Sequence, residues 1–291
     1  MIPPQFDYVR PADVGEALRI LRDREGEAKL LAGGYSLIPL LKLRLAAPGL
    51  LVDLRDVGGL DGIDERDGEL RIGARATHRR IGEDPTVRAR YPLFAEAALV
   101  IGDPQVRNWG TIGGSCAHAD PAADWPAVLI ASRATLVCRS VDGERALPAR
   151  EFFVDTFQTA IRPDEILTEI RVPAPRPGSG GAYANIERKA GDFSTAGAAV
   201  QLRLDEAGRI AEAGIGLTAV AETAFAATEA EAALIGTEPT EAAFRRAAEA
   251  AAEQSRPAAD SHGPVEYKRA MAAEMTMRAL RRAVARARGE A

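Results

Sequence analysis

The stretch LLAGGYSLIPLLKLRL, residues 30–45, constrains the fold more than any other. An apolar run ends in two adjacent glycines, and apolar residues then resume at helical spacing. AKLLA, residues 28–32, predicts a buried strand, and a helix is predicted to start at Ser36. Gly33, Gly34 and Tyr35 then fall in a tight turn whose backbone N–H groups have no partner within the chain. Such a turn, with the positive end of a helix behind it, cradles an anion, and a Cβ on either glycine would hold phosphate oxygens away. Ser36 would cap the helix and donate to the same anion. Pro39 is tolerated in the first turn. The plainer reading is that the glycines only permit a sharp reversal.

A second pair shifts that balance. RNWGTIGGSCAHADPAADWPA, residues 107–127, carries Gly110, Gly113 and Gly114 around Thr111, followed by Asp120 and Asp124. Two small-residue loops rich in free donors suit the two phosphates of one pyrophosphate, approached from opposite sides. Asp124 reads either as a ligand group or as a plain N-cap for the helix in DWPAVLIAS. His118 has no adjacent nucleophile or carboxylate pair and reads as structural rather than as a base.

Along the chain the texture changes twice, giving three expected regions: 1–55, 56–177 and 178–291. The first is βαβ-like, with a helix in VGEALRILRD and strands in AKLLA and LLVDL. The second mixes strands (ELRIGA, ATLVC, EILTEIRVP) with helices in LFAEAALVI and DWPAVLIAS. PAPRPGSGGAY, residues 173–183, reads as a linker. Beyond it a hairpin turns at Asp205–Gly208, Thr228 and Glu231 suggest a capping box, and the end is helical, in EAAFRRAAEAAAEQ and EYKRAMAAEMTMRALRRAVARA. The fold class expected is α+β, and no internal repeat is visible.

A net charge of −5 argues against a nucleic-acid partner. No secretory signal and no membrane-spanning run is visible, so the cytoplasm is the expected location. Cys116 and Cys138 with three scattered histidines are too few to hold a cluster or structural zinc, so no metal and two buried free thiols are expected. GIGLTA, Gly214–Ala219, matches a dinucleotide fingerprint, but its glycines lie inside a strand with no helix after them.

Together, LLAGGYSLIPLLKLRLAAPGLLVDL and QVRNWGTIGGSCAHADPAADWPAVLIA resemble the flavin-binding medium subunit of the molybdenum hydroxylases, especially the aerobic carbon monoxide dehydrogenase type, related to the FAD domain of xanthine dehydrogenases. FDYVRPADVGEAL, RKAGDFSTAGAAVQLRL and EYKRAM extend the likeness along the chain. The resemblance implies a two-part FAD-binding unit of the vanillyl-alcohol-oxidase (PCMH-like) type, followed by a C-terminal antiparallel sheet with helices. By position, Lys29, Leu30, Leu31, Ala32, Gly33, Gly34, Tyr35, Ser36 and Leu37, with Thr111, Ile112, Gly113, Gly114 and Ser115, would grip the pyrophosphate. Ile101 would line the flavin or adenine pocket, Asp124 would bind a polar group of FAD, and Leu167, Lys189 and Phe193 would lie near the isoalloxazine. Ser115 stands where asparagine is frequent and Tyr35 where histidine or asparagine is common, and neither change removes backbone binding. No cysteine-bearing insertion for a further iron–sulfur cluster is present.

No paired carboxylates, activated nucleophile or metal set appears, so the bond-making chemistry belongs to a cofactor or partner. The resemblance implies a molybdenum-cofactor large subunit, a small subunit with two [2Fe–2S] clusters, and a dimer of such heterotrimers, in which this chain's FAD passes electrons to an acceptor. The rival readings are a self-sufficient flavin oxidoreductase and a non-enzymatic scaffold.

Overall fold

The computed structural model describes residues 2–24 and 26–290. Three strands open the chain: β1 (Asp7–Val9), β2 (Ala28–Leu31) and β3 (Leu50–Asp53), all parallel, with β3 in the middle. Helix α1 (Val14–Asp23) crosses between β1 and β2, capped by the Asp13 carboxylate on the Glu16 N–H, and buries Ala17, Leu18 and Leu21. Parallel strands require such crossovers, as the βαβ reading expected. The second connection carries α2 (Leu37–Lys42).

A five-stranded antiparallel sheet follows, in the order β4 (Ile63–Arg66), β5 (Glu69–Gly73), β10 (Ile166–Pro173), β6 (Thr135–Ser140), β7 (Gly143–Pro148). Between β5 and β6 run six helices: α3 (His78–Glu83), α4 (Pro85–Arg90), α5 (Pro92–Val100), α6 (Pro104–Trp109), α7 (Ile112–His118) and α8 (Asp124–Ala131). Short α9 (Ala149–Phe152), β8 (Phe153–Asp155) and β9 (Gln158–Thr159) lie between β7 and β10. The helices bury one apolar cluster against the sheet. Trp125 is its largest fully enclosed side chain, its ring 5.9 Å from that of Phe94.

The third sheet is antiparallel: β11 (Ser179–Glu187), β12 (Ser194–Leu204), β13 (Ile210–Thr218) and β14 (Phe225–Ala226). Helices α10 (Thr228–Leu234), α11 (Glu241–Gln254) and α12 (Val265–Ala287) cover one face with a second apolar cluster. Helix α8 packs on the other face. A Cβ on Gly214 would sit 2.1 Å from the Ala131 carbonyl oxygen, and one on Gly216 2.1 Å from that of Ala127. The glycines of GIGLTA therefore let a helix backbone lie directly on β13, which accounts for them without a nucleotide.

Three expectations need correction. Residues 179–183 are not linker but the start of β11. Their glycines admit neighbours, because a Cβ on Gly180 would meet the Ala283 carbonyl oxygen of α12 at 2.0 Å. Thr228 and Glu231 form no capping box. Thr228 lies inside α10, and the Glu231 carboxylate instead pairs with Arg150 and accepts from the Ile215 N–H at 2.8 Å. Ser36 lies in helical conformation, and its side chain makes no cap hydrogen bond. The hairpin stands as expected, with Asp205 Oδ1 accepting from the Ala207 and Arg209 N–H groups and Gly208 at φ +77°.

Candidate cofactor site

The turn after β2 and the segment before α7 touch. A Cβ built on Gly33 would lie 2.1 Å from the Trp109 carbonyl oxygen and 2.9 Å from the Gly110 Cα. The two glycine segments are therefore one surface, and Gly33 is a glycine because the other segment's backbone occupies its side-chain space. Gly34 has φ +81°, the left-handed region that favours glycine. Among the described residues, the backbone N–H groups of Gly33, Gly34, Tyr35 and Ser36 donate to no backbone or side-chain acceptor. Four successive unpaired donors in a turn form a concavity for anions.

The second segment is built differently, and here the expectation of two donor-rich loops fails. Residues 112–118 are helix α7, and the donors of its first turn are taken. Ile112 N–H donates to the Ala76 carbonyl at 3.1 Å, Gly113 to Ala74 at 2.8 Å, Gly114 to Thr111 Oγ1 at 3.0 Å and Ser115 to the Thr111 carbonyl at 3.0 Å. Gly113 is needed for packing, because a Cβ there would fall 2.5 Å from Ala74 Cβ and 2.6 Å from the Ala74 oxygen. On Gly114 it would meet the capping Thr111 Oγ1 at 2.8 Å.

The other expected residues divide. Lys29 is exposed on β2, Leu30 packs on the N-terminal cluster, Leu31 is buried beside Gly34, and Ala32 and Leu37 flank the turn half-buried. Tyr35 stands 41 % exposed at its tip. Ile101 packs at the edge of the middle core, and its carbonyl accepts from Arg107 at 3.1 Å. Lys189 and Phe193 are exposed on the β11–β12 connection. A Cβ on Gly191 there would be 3.5 Å from the Gly102 carbonyl carbon, so this connection abuts the Ile101 loop. Leu167 is not on that surface; it is buried in the same apolar cluster as Ile112 and Cys116.

Asp124 is no N-cap: Ala123 holds that position, and Asp124 opens α8. Its carboxylate ties α8 to the C-terminal sheet, accepting from Tyr183 Oη on β11 and from Ser194 Oγ on β12, the latter at 2.9 Å. Asn185 Nδ2 donates to Ser194 Oγ at 3.0 Å. Burial pushes the Asp124 carboxyl up to about 6, against those two hydrogen bonds.

Tyr183, Ser194 and His78 were not foreseen. Tyr183 and Asn185 are two apart on a strand, a period-2 signal hidden by reading GGAY as linker. His78 is buried behind Gly110, accepts from Trp125 Nε1 at Nδ1 (2.9 Å), and is pushed down to about 4 by burial and by Arg107. That bond fixes the proton of the neutral ring on Nε2. His118 stacks on Phe157 with ring centroids 5.0 Å apart, its Nε2 3.9 Å from Asp120. Cys116 and Cys138 are free and buried, and burial raises both thiols. Among the described residues no group of His, Cys, Asp and Glu is placed to hold a metal, and no helix is long and apolar enough to cross a membrane.

Residues 4–175 match the family model of the FAD binding domain in molybdopterin dehydrogenase, and residues 181–283 that of the CO dehydrogenase flavoprotein C-terminal domain. The carbon monoxide dehydrogenase medium chain of Hydrogenophaga pseudoflava is 45 % identical over 98 % of this chain and 99 % of its own. The 6-hydroxypseudooxynicotine dehydrogenase complex subunit alpha of Paenarthrobacter nicotinovorans is 41 % identical over 99 % and 97 %. Among solved structures, carbon monoxide dehydrogenase from Hydrogenophaga pseudoflava superposes with a TM-score of 0.95 at 47 % identity, covering 98 % of this chain and 99 % of that one.

Proposed function

The chain belongs to the FAD-binding flavoprotein family of the molybdopterin dehydrogenases, an oxidoreductase subunit whose cofactor is FAD, and we propose that it is the electron-delivering medium subunit of a carbon monoxide dehydrogenase-like molybdenum hydroxylase. FAD, when bound, takes electrons from [2Fe–2S] clusters of a partner and hands them to an external acceptor. A molybdenum-cofactor large subunit and an iron–sulfur small subunit complete the assembly, as a dimer of heterotrimers in the cytoplasm. The relatives at 45 % and 41 % identity carry names with different substrates. That fits a subunit that serves the electron path while the large subunit selects the substrate.

In this reading the cofactor lies between regions 1–55 and 56–177, in the manner of the vanillyl-alcohol-oxidase fold, with 178–291 closing the flavin side. The observation that carries it is the row of four unpaired N–H groups at Gly33–Ser36, set against the second glycine segment. Those donors hold the pyrophosphate. Thr111–Ser115 shape its far wall, with donors already committed, so this wall contributes shape and the Thr111 and Ser115 hydroxyls rather than a second nest. Asp124, on its partners Tyr183 and Ser194, presents a carboxylate oxygen to the flavin side. Ile101 and the Lys189–Phe193 connection border the isoalloxazine, and Leu167 supports from within the core.

The test is co-purification from a native host through a tag on this chain. Three chain types with molybdenum, iron and FAD are expected. Turnover by this chain alone, free of iron and molybdenum, would favour a self-sufficient oxidoreductase, and a colourless complex would contradict the reading.

A further inference from the structure

Strand β11 has two faces. Ala182 and Ala184 point into the cluster under α10–α12, while Tyr183 and Asn185 point the other way, where Tyr183 donates to Asp124 and Asn185 to Ser194. Glu187 is the next residue on that second face and pairs with Ser194, just past a register shift that skips Thr195. Its Oε2 is enclosed and has no hydrogen-bond donor among the described residues. Its charge is also felt by Asp124.

Among the described residues no cation or imidazole hydrogen-bonds Glu187 Oε2: Lys189 is exposed on the connection, and the His262 Nε2 is itself enclosed without a partner. Arg188 donates to Asp192 and to the Ser261 carbonyl, Lys268 to Asp260, and the His262 ring lies 3.7 Å from both Asp192 and Asp260. A carboxylate oxygen enclosed without a donor is costly, and folding selects against it unless a ligand supplies the donor. Glu187 lies at the start of the connection that carries Lys189 and Phe193 and abuts Gly102, on the flavin side of the proposed site.

Resting on that site, we infer that Glu187 is a further cofactor-binding residue, accepting a hydrogen bond from the flavin half of FAD, either a ribityl hydroxyl or the ring imide N–H. Asp124 and Glu187 then form a two-carboxylate acceptor row matched to the donors of a polyol and an imide. The pyrophosphate and adenosine half owes nothing to it.

The test uses the complex stripped of flavin and measures binding of FAD, N3-methyl-FAD and ADP. Glu187→Ala is expected to weaken FAD by about ten- to a hundred-fold, the range of a hydrogen bond to a charged acceptor, with ADP affinity unchanged. Glu187→Gln, which keeps an acceptor oxygen, is expected to recover most of the loss. If the imide is the donor, N3-methyl-FAD binds wild type and Glu187→Ala alike; if a ribityl hydroxyl is, the variant weakens both flavins equally. FAD affinity unchanged in Glu187→Ala, or an equal loss for ADP, overturns the inference. Gly33→Val separates this from failure of the site itself, because it is expected to lower FAD and ADP together.

Discussion

The two glycine segments look alike as text and differ as physics. In GGYS at 33–36 the backbone donors are free, and the glycines serve a left-handed turn and a close approach. In TIGGS at 111–115 the same residue types form the first turn of a helix whose donors are already bonded, and Gly113 exists because Ala74 fills its side-chain space. In the proposed site one segment is the receptor and the other its wall. Glycine marks close backbone approach in both, and only the hydrogen-bond inventory says what approaches.

The largest effect that would sharpen the contrast is expected at Gly33. In Gly33→Val the side chain meets the Trp109 carbonyl, so the segments part and the complex purifies without flavin while circular dichroism stays native. Retained flavin would break the distinction. Gly113→Val should instead act on the fold, overpacking α7 against Ala74 at a cost of about 1–3 kcal/mol in urea denaturation.

A pH experiment probes the seam behind the wall. Asp124 has its carboxyl raised from 3.8 to about 6, so between those values the folded chain holds a proton the unfolded chain has released, and stability falls as pH rises. His78 is lowered from 6.5 to about 4, so in that window the unfolded chain holds the extra proton, and stability rises with pH. The two oppose each other. Relative to the parent chain, Asp124→Asn should tilt stability toward rising with pH between about 4 and 6 and His78→Gln should tilt it toward falling; parallel denaturation curves for both variants would contradict the assignment.

Smaller still, Thr111→Ala removes the cap on Gly114 and should cost about 1 kcal/mol. Ser36→Ala caps nothing, so it should leave stability unchanged and weaken FAD only by its lost hydroxyl. A stability loss in Ser36→Ala would restore the cap that the sequence suggested.

Much of this was legible in the chain. The 3.6- and 2-residue periods placed α1, β2, β3, α8 and the β12–β13 hairpin, because each buries one face in a regular pattern. Other helices had signals that went unread. Asp84–Pro85 and Asp103–Pro104 are N-cap and first-turn proline pairs, and both caps form, on the N–H groups of Val87 and Val106. Gly180 and Gly181 read as linker because proline and glycine concentrate at 173–183, whereas α12 presses on Gly180, and Gln201 and Leu93 crowd Gly181. Asp124 illustrates the deeper limit. Its partners Tyr183 and Ser194 are 59 and 70 residues away, and no local pattern reports a hydrogen bond between a helix and a sheet so distant in the chain.

The most direct measurement is a crystal structure of the complex with FAD bound. The account predicts pyrophosphate oxygens within about 3 Å of the backbone nitrogens of Gly33 to Ser36, with those of Ile112 to Ser115 still bonded within the chain. Phosphates held by α7 donors, with the Gly33–Ser36 nitrogens facing solvent, would contradict it.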